Sequence, residues 1–160
     1  MSGQKIAWPF AALSLLILAV VLAAPAAAQP SSREPVFGVR AGAYTDTGKP
    51  FIGAEALFRL TPGWWLDPNV EAVFVDHGHL VTVNLDAHYD FAVQRPYYLW
   101  AGAGPAIIFR DVDREGRDNR LGVNLLGGLG WRTGAVMPYV QLKALLSNHS
   151  EAVIAFGLRF

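Results

Sequence analysis

Read from residue 36 to the end, the chain alternates between apolar and polar positions with a period of two. The clearest stretch is 80–93. Val81, Val83, Leu85, Ala87, Tyr89, Phe91 and Val93 fall on one side, with Thr82, Asn84, Asp86, His88 and Asp90 on the other. Successive side chains on a strand point to opposite faces, so such a segment has one apolar and one polar surface. The same alternation recurs at 37–44, 52–60, 70–75, 97–110, 120–132, 139–147 and 152–160. It predicts about eight strands, an even number as in single-chain bacterial barrels. Breakers punctuate the series in two sets that alternate along the chain. One set is 45–50, 76–79, 111–119 and 147–150; the other is Thr61-Pro62-Gly63, Gln94-Arg95-Pro96 and 133–137. An up-and-down antiparallel sheet has this arrangement, with loops at opposite ends. The weakest signal is 62–69, where Asp67-Pro68 obscures the start of the third strand.

The first residues follow another pattern. Lys5 precedes an apolar run at 11–24, Pro25 ends it, and Ala26-Ala27-Ala28 supplies small residues before Gln29. This is the layout of a cleaved secretory signal peptide over 1–28. A short disordered lead-in at 29–35 and a barrel over 36–160 are expected to follow.

Composition then narrows the class. The chain is 52% hydrophobic and only 16% charged, yet beyond residue 30 no apolar run reaches the ~18 residues of a spanning helix. In a bilayer the remaining solution is a closed β-barrel, because closure satisfies every backbone N–H and C=O. A net charge of +0 gives no reason to expect a nucleic-acid partner. With Cys 0, disulfides, thiol catalysis and thiolate metal sites are all excluded.

Alternation fits two opposite barrels: lipocalin-like with the apolar face inside, or membrane-spanning with it outside. The apolar face carries no charged residue. The polar face holds Arg40, Glu55, Arg59, Glu71, Asp86, Asp90, Arg132, Lys143 and Arg159, with most of the strand glycines. Glycine suits the crowded inside of a narrow barrel. Trp64, Trp65, Tyr97, Trp131 and Phe160 cluster near the second turn set, where an interfacial aromatic girdle falls. The expected fold is therefore all-β: a closed antiparallel up-and-down transmembrane barrel with its ionic face inward. The nine inner charges are expected to pair with one another and close the lumen, because eight strands leave a bore that side chains fill.

The ending AVIAFGLRF, with Phe156, Leu158 and Phe160 alternating to the terminus, resembles the C-terminal assembly signal of bacterial outer-membrane barrels. The segments YYLWAGAGPAIIFRD and LGVNLLGGLGWR look like the Gly-rich strands of small outer-membrane β-barrel proteins, the group that includes opacity-type surface antigens. The resemblance implies a bacterial outer-membrane location and a porin-like or surface-antigen type of protein. It also implies outer-membrane lipid and lipopolysaccharide as surroundings, with the barrel-assembly machinery and periplasmic chaperones as partners during biogenesis. The first set of loops would face outward.

Four constellations bear on chemistry. The inner charges read as a plug rather than a conducting path. Asn148-His149-Ser150-Glu151 has the residue types of lipid A deacylases, which are also eight-stranded barrels, but neighbours on a strand cannot converge and the His-x-Ser spacing is missing. His77-Gly78-His79 beside Asp76, with His88 further on, lacks an evident third metal ligand. DVDREGRDN at 111–119 has Asp111, Asp113 and Glu115 at calcium-loop spacing without the closing Glu, and its Arg114 and Arg117 suit lipopolysaccharide phosphates. The expectation is a non-enzymatic barrel with no cofactor and no metal. A lipid A-modifying hydrolase and a soluble periplasmic binding barrel are the alternatives.

Overall fold

The computed structural model describes residues 34–75, 78–91, 96–112, 116–132 and 134–160. The expected signal peptide and all but the last two residues of the lead-in lie outside them. Eight strands run in order: β1 Val36–Tyr44, β2 Lys49–Thr61, β3 Trp64–Val73, β4 His79–Phe91, β5 Tyr97–Val112, β6 Gly116–Trp131, β7 Met137–Leu146 and β8 Glu151–Arg159. Each pairs antiparallel with the next, and β1 pairs with β8 from Gly38↔Arg159 to Tyr44↔Val153, so the sheet closes. Phe37 and Phe160 finish the seam by exchanging backbone N–H···O bonds of 3.1 and 2.9 Å. Closure removes both sheet edges.

The third strand departs from the sequence pattern. It begins at Trp64 and runs straight through Asp67-Pro68. Pro68 faces Leu85 in the β3–β4 ladder, while the β2–β3 register steps from Glu55↔Asn69 to Phe58↔Leu66 with no pair at Pro68. Pro105 repeats this: β4–β5 steps from Asn84↔Ala106 to Ala87↔Ala103, and Pro105 pairs only toward Val123 on β6. A residue without an N–H leaves one ladder incomplete while the strand continues. The charged connection at 111–119 is also shorter than expected, since Asp111↔Arg117 and Val112↔Gly116 are ladder pairs. At the opposite end, Pro62-Gly63 makes the tight turn; Gly63 has φ 82°, the left-handed value that a type II turn needs after proline.

The walls differ in height. β5 and β6 have 16 residues each, whereas β1 and β8 have 9. The outer wall is apolar: Ile52, Phe58, Leu85, Leu99, Ile107, Val123, Leu125, Leu142, Phe156 and Leu158 are all exposed. The buried residues line the bore. This orientation is the reverse of a lipocalin-like barrel.

Candidate functional site: the filled lumen and its outer cup

Every strand contributes inward side chains, and three layers result. At mid-height lies an ionic layer. Lys143 Nζ donates to both Glu71 carboxylate oxygens at 2.7 and 2.8 Å. Tyr44 OH and Thr82 Oγ1 donate to Glu71 Oε2 at 2.8 and 3.1 Å. Arg40 lies between two acids, 3.2 Å from Glu71 Oε1 and 3.7 Å from Glu55 Oε2. Arg159 Nε donates to Glu55 Oε1 at 2.7 Å, and its guanidinium lies over the Tyr139 and Trp100 rings at 4.4 and 4.7 Å. Such contacts offset the large desolvation cost of burying each ion.

An amide chain adjoins this layer. Arg40 donates to Asn69 Oδ1, which also accepts from Asn84 Nδ2 at 2.8 Å. Asn69 Nδ2 donates to Asp86 Oδ2 at 2.9 Å, and Asn124 Nδ2 is 2.9 Å from both Asp86 Oδ1 and Asn84 Oδ1. Asp86 is thus held by amides, and it is completely buried. Asp67 joins the buried acids at 1% exposure. The alternation misses it, because it sits in the stretch whose strand the sequence leaves unplaced.

Toward the turn end, Tyr98, Trp100, Leu126 and Tyr139 form an aromatic layer. The Tyr98 and Trp100 rings stack at 5.3 Å, and Trp100 meets Tyr139 edge-on at 5.6 Å. Each ring occupies the space above a glycine on the neighbouring strand: Trp100↔Gly128, Tyr98↔Gly130 and Tyr139↔Gly157. A Cβ at Gly128 would collide with the Trp100 ring. Toward the loop end, Tyr44, Phe51, Val73, Ala106, Ile108, Leu145, Val153 and Ala155 form an apolar layer against Leu80. The interior is therefore ionic only at its centre, where the sequence suggests a polar bore throughout.

The nine charges proposed for the lumen divide. Arg40, Glu55, Glu71, Asp86, Lys143 and Arg159 are buried. Asp90 lies at the turn-end mouth, 3.5 Å from His88 Nε2 and 3.5 Å from Arg132 Nη2. Arg132 is half-exposed over the Tyr98 ring at 4.7 Å, and exposed Arg59 reaches the Trp65 ring at 6.0 Å. Both arginines belong to the mouth rather than to the buried layer, because their strands end there and water solvates the long side chains. Among the proposed girdle residues, Trp64 packs edge-on against Tyr89 and Tyr97 against Trp131 on the outer wall. Trp65 does not belong to the girdle: it pairs with Arg59 and His88, so it points inward as the immediate neighbour of Trp64 must. Phe156, Leu158 and Phe160 all face outward and are exposed.

Of the three constellations outside the lumen, only 148–151 lies wholly within the described residues, and its side chains do not converge. His149 Nδ1 lies 3.2 Å from Arg120 Nη1, Ser150 Oγ donates to Ser147 O at 3.4 Å, and Glu151 accepts from Thr47 at 3.1 Å. Asp76 and His77 lie outside the described residues, while His79 and His88 stand near opposite ends of β4. Residues 113–115 also lie outside them. Among the described residues no group of acids, histidines or cysteines could hold a metal.

Above the apolar layer the barrel opens at its loop end into a cavity of 400 Å³. Tyr44, Leu80, Ile108 and Leu145 line it with apolar surface, and Lys49, Arg110, Arg120, His149 and Glu151 bring charge and polarity. Alternation carries no sign of this cup, because its lining comes from both ends of the chain.

The fold is that of the small eight-stranded outer-membrane β-barrels. Among solved structures, the N-terminal β-barrel domain of Pseudomonas aeruginosa OprF is 19% identical, covers 79% of this chain and 96% of its own, and superposes with a TM-score of 0.65. Neisserial surface protein A is 16% identical over 78% of this chain and 93% of its own, with a TM-score of 0.61. Ail, the attachment invasion locus protein of Yersinia pestis, is 10% identical over 80% and 97%, with a TM-score of 0.55. No protein-family model and no curated protein matches the chain.

Proposed function

We propose that the chain is a bacterial outer-membrane protein, exported by the signal peptide over 1–28, that works as a non-enzymatic structural or surface-interacting barrel. One observation carries this reading: an uninterrupted apolar outer wall encloses a buried ionic layer. Acyl chains solvate the wall, closure satisfies the backbone, and the paired charges keep the bore shut to steady ion flow. The outward Phe156, Leu158 and Phe160 are the assembly signal read by the barrel-assembly machinery. Lipopolysaccharide surrounds the loop end, and the likeness to Neisserial surface protein A and to Ail supports that end as the interacting one. The engagement of His149 with Arg120 favours the non-enzymatic reading over lipid A hydrolysis.

Envelope fractionation combined with electrophoresis of boiled and unboiled samples tests the reading. It expects the protein in the outer-membrane fraction, with a faster-migrating band before boiling. A detergent-free monomer in the periplasm would overturn it. Unchanged lipid A acylation on expression is the accompanying expectation, and altered acylation would favour the hydrolase.

A further inference from the structure

The geometry points to the outer cup as a binding site for a small amphiphilic anion, with an apolar body on the floor and an acidic head at the rim. The floor comes first. Tyr44, Ile108 and Leu145 are 3%, 9% and 4% exposed, and with Leu80 they cap the apolar layer beneath. Thr82 also lines the cavity, but its hydroxyl and that of Tyr44 donate to Glu71, so water above this floor finds few hydrogen-bond partners and an apolar group replacing it gains free energy.

The rim supplies the opposite chemistry. Among the described lining residues, Lys49, Arg110 and Arg120 bring positive charge and Glu151 a carboxylate, with Asp118 bonded to Arg120 beside the lining. Glu151 accepts from Thr47 at 3.1 Å. Arg120 is fixed by Asp118 at 2.6 Å and by His149 at 3.2 Å, so its guanidinium is held in place before any ligand arrives. An anionic head therefore meets a pre-positioned cation rather than a flexible surface charge. The cations sit on two sides: Arg110 and Arg120 on the tall β5–β6 wall, Lys49 at the start of β2. At about 400 Å³ the cavity matches sites for small organic molecules, and its paired apolar and cationic linings favour an amphiphilic anion over neutral sugars and bare inorganic ions. A short-chain carboxylate, sulfonate or phosphate ester is the class that fits.

The inference rests on the proposed function only for the compartment that supplies the ligand; binding itself is measured on the purified barrel. Methyl-labelled protein in nanodiscs is titrated with octanoate, and in parallel with octanol and with inorganic phosphate. Octanoate is expected to shift the Leu80, Ile108 and Leu145 methyl signals saturably, while octanol and phosphate each bind at least about fivefold more weakly. Lys49→Gln with Arg120→Gln is expected to weaken octanoate about tenfold, and Leu80→Trp to abolish the shifts by filling the floor. Two results would overturn the proposal: equal shifts from octanol and octanoate, which indicate bilayer partition, or octanoate binding that both variants leave unchanged. Signals of the wall residues Leu99 and Leu142 report folding in each variant.

Discussion

Leu85 and Asp86 are consecutive on β4, yet one is 46% exposed on the outer wall and the other fully buried among asparagine amides. In the proposed bilayer setting the wall asks only for apolarity: any side chain that dissolves in acyl chains will serve. The lumen asks for partners: its ions need counter-ions or amides, and the rings of Tyr98, Trp100 and Tyr139 need a glycine opposite. The same strands therefore carry a tolerant face and an intolerant one. Substitutions of similar size should differ in cost according to which face they change.

The largest effect should follow from breaking the ionic layer. Glu71→Leu leaves Lys143 and Arg40 without their shared carboxylate and should cost about 3–5 kcal/mol, measured by urea unfolding from lipid vesicles. On the wall only a charge should approach that. Leu125→Arg, near the middle of β6, should cost about 2–4 kcal/mol in the same assay, and a neutral outcome would place that face in water. Gly128→Val tests the ring-over-glycine packing. Its Cβ meets Trp100, so a loss of about 1–3 kcal/mol with an altered near-ultraviolet spectrum is expected. Leu142→Ala, at a wall position 62% exposed, should change stability by less than about 1 kcal/mol. Smallest of all, Arg132→Gln at the half-exposed mouth should stay below about 0.5 kcal/mol and vanish in high salt.

The two faces were not equally legible in the sequence. Strand number and hairpin order follow from alternation, which is local, and the charges and glycines gathered on one face decide which face points inward. Leu80 to Phe91 shows both faces without any knowledge of neighbours. The third strand is hidden because Asp67-Pro68 looks like a breaker, and only the ladder shows that Pro68 needs a partner on one side alone. With that stretch unplaced, Asp67 has no assignable face, and Trp65 groups with Trp64 despite its opposite direction. The register is equally out of reach, and it sets Trp100 across from Gly128. Closure then brings β3 and β7 together across the bore through Glu71 and Lys143, which stand 72 residues apart in the chain. The sequence names the charges; their partners depend on closure. Arg59 and Arg132 carry lumen parity but sit at strand ends, and alternation is blind to depth.

The most direct test of the oily wall and ionic core uses the chain's lack of cysteine. Single cysteines placed in turn at residues 81–88 carry a spin label in bilayers, and collisions with lipid-soluble oxygen and a water-soluble nickel complex are recorded. The account predicts a period of two, with high oxygen access for Val83→Cys and Leu85→Cys and low access for Asn84→Cys and Asp86→Cys. The opposite phase, or no alternation, would contradict it.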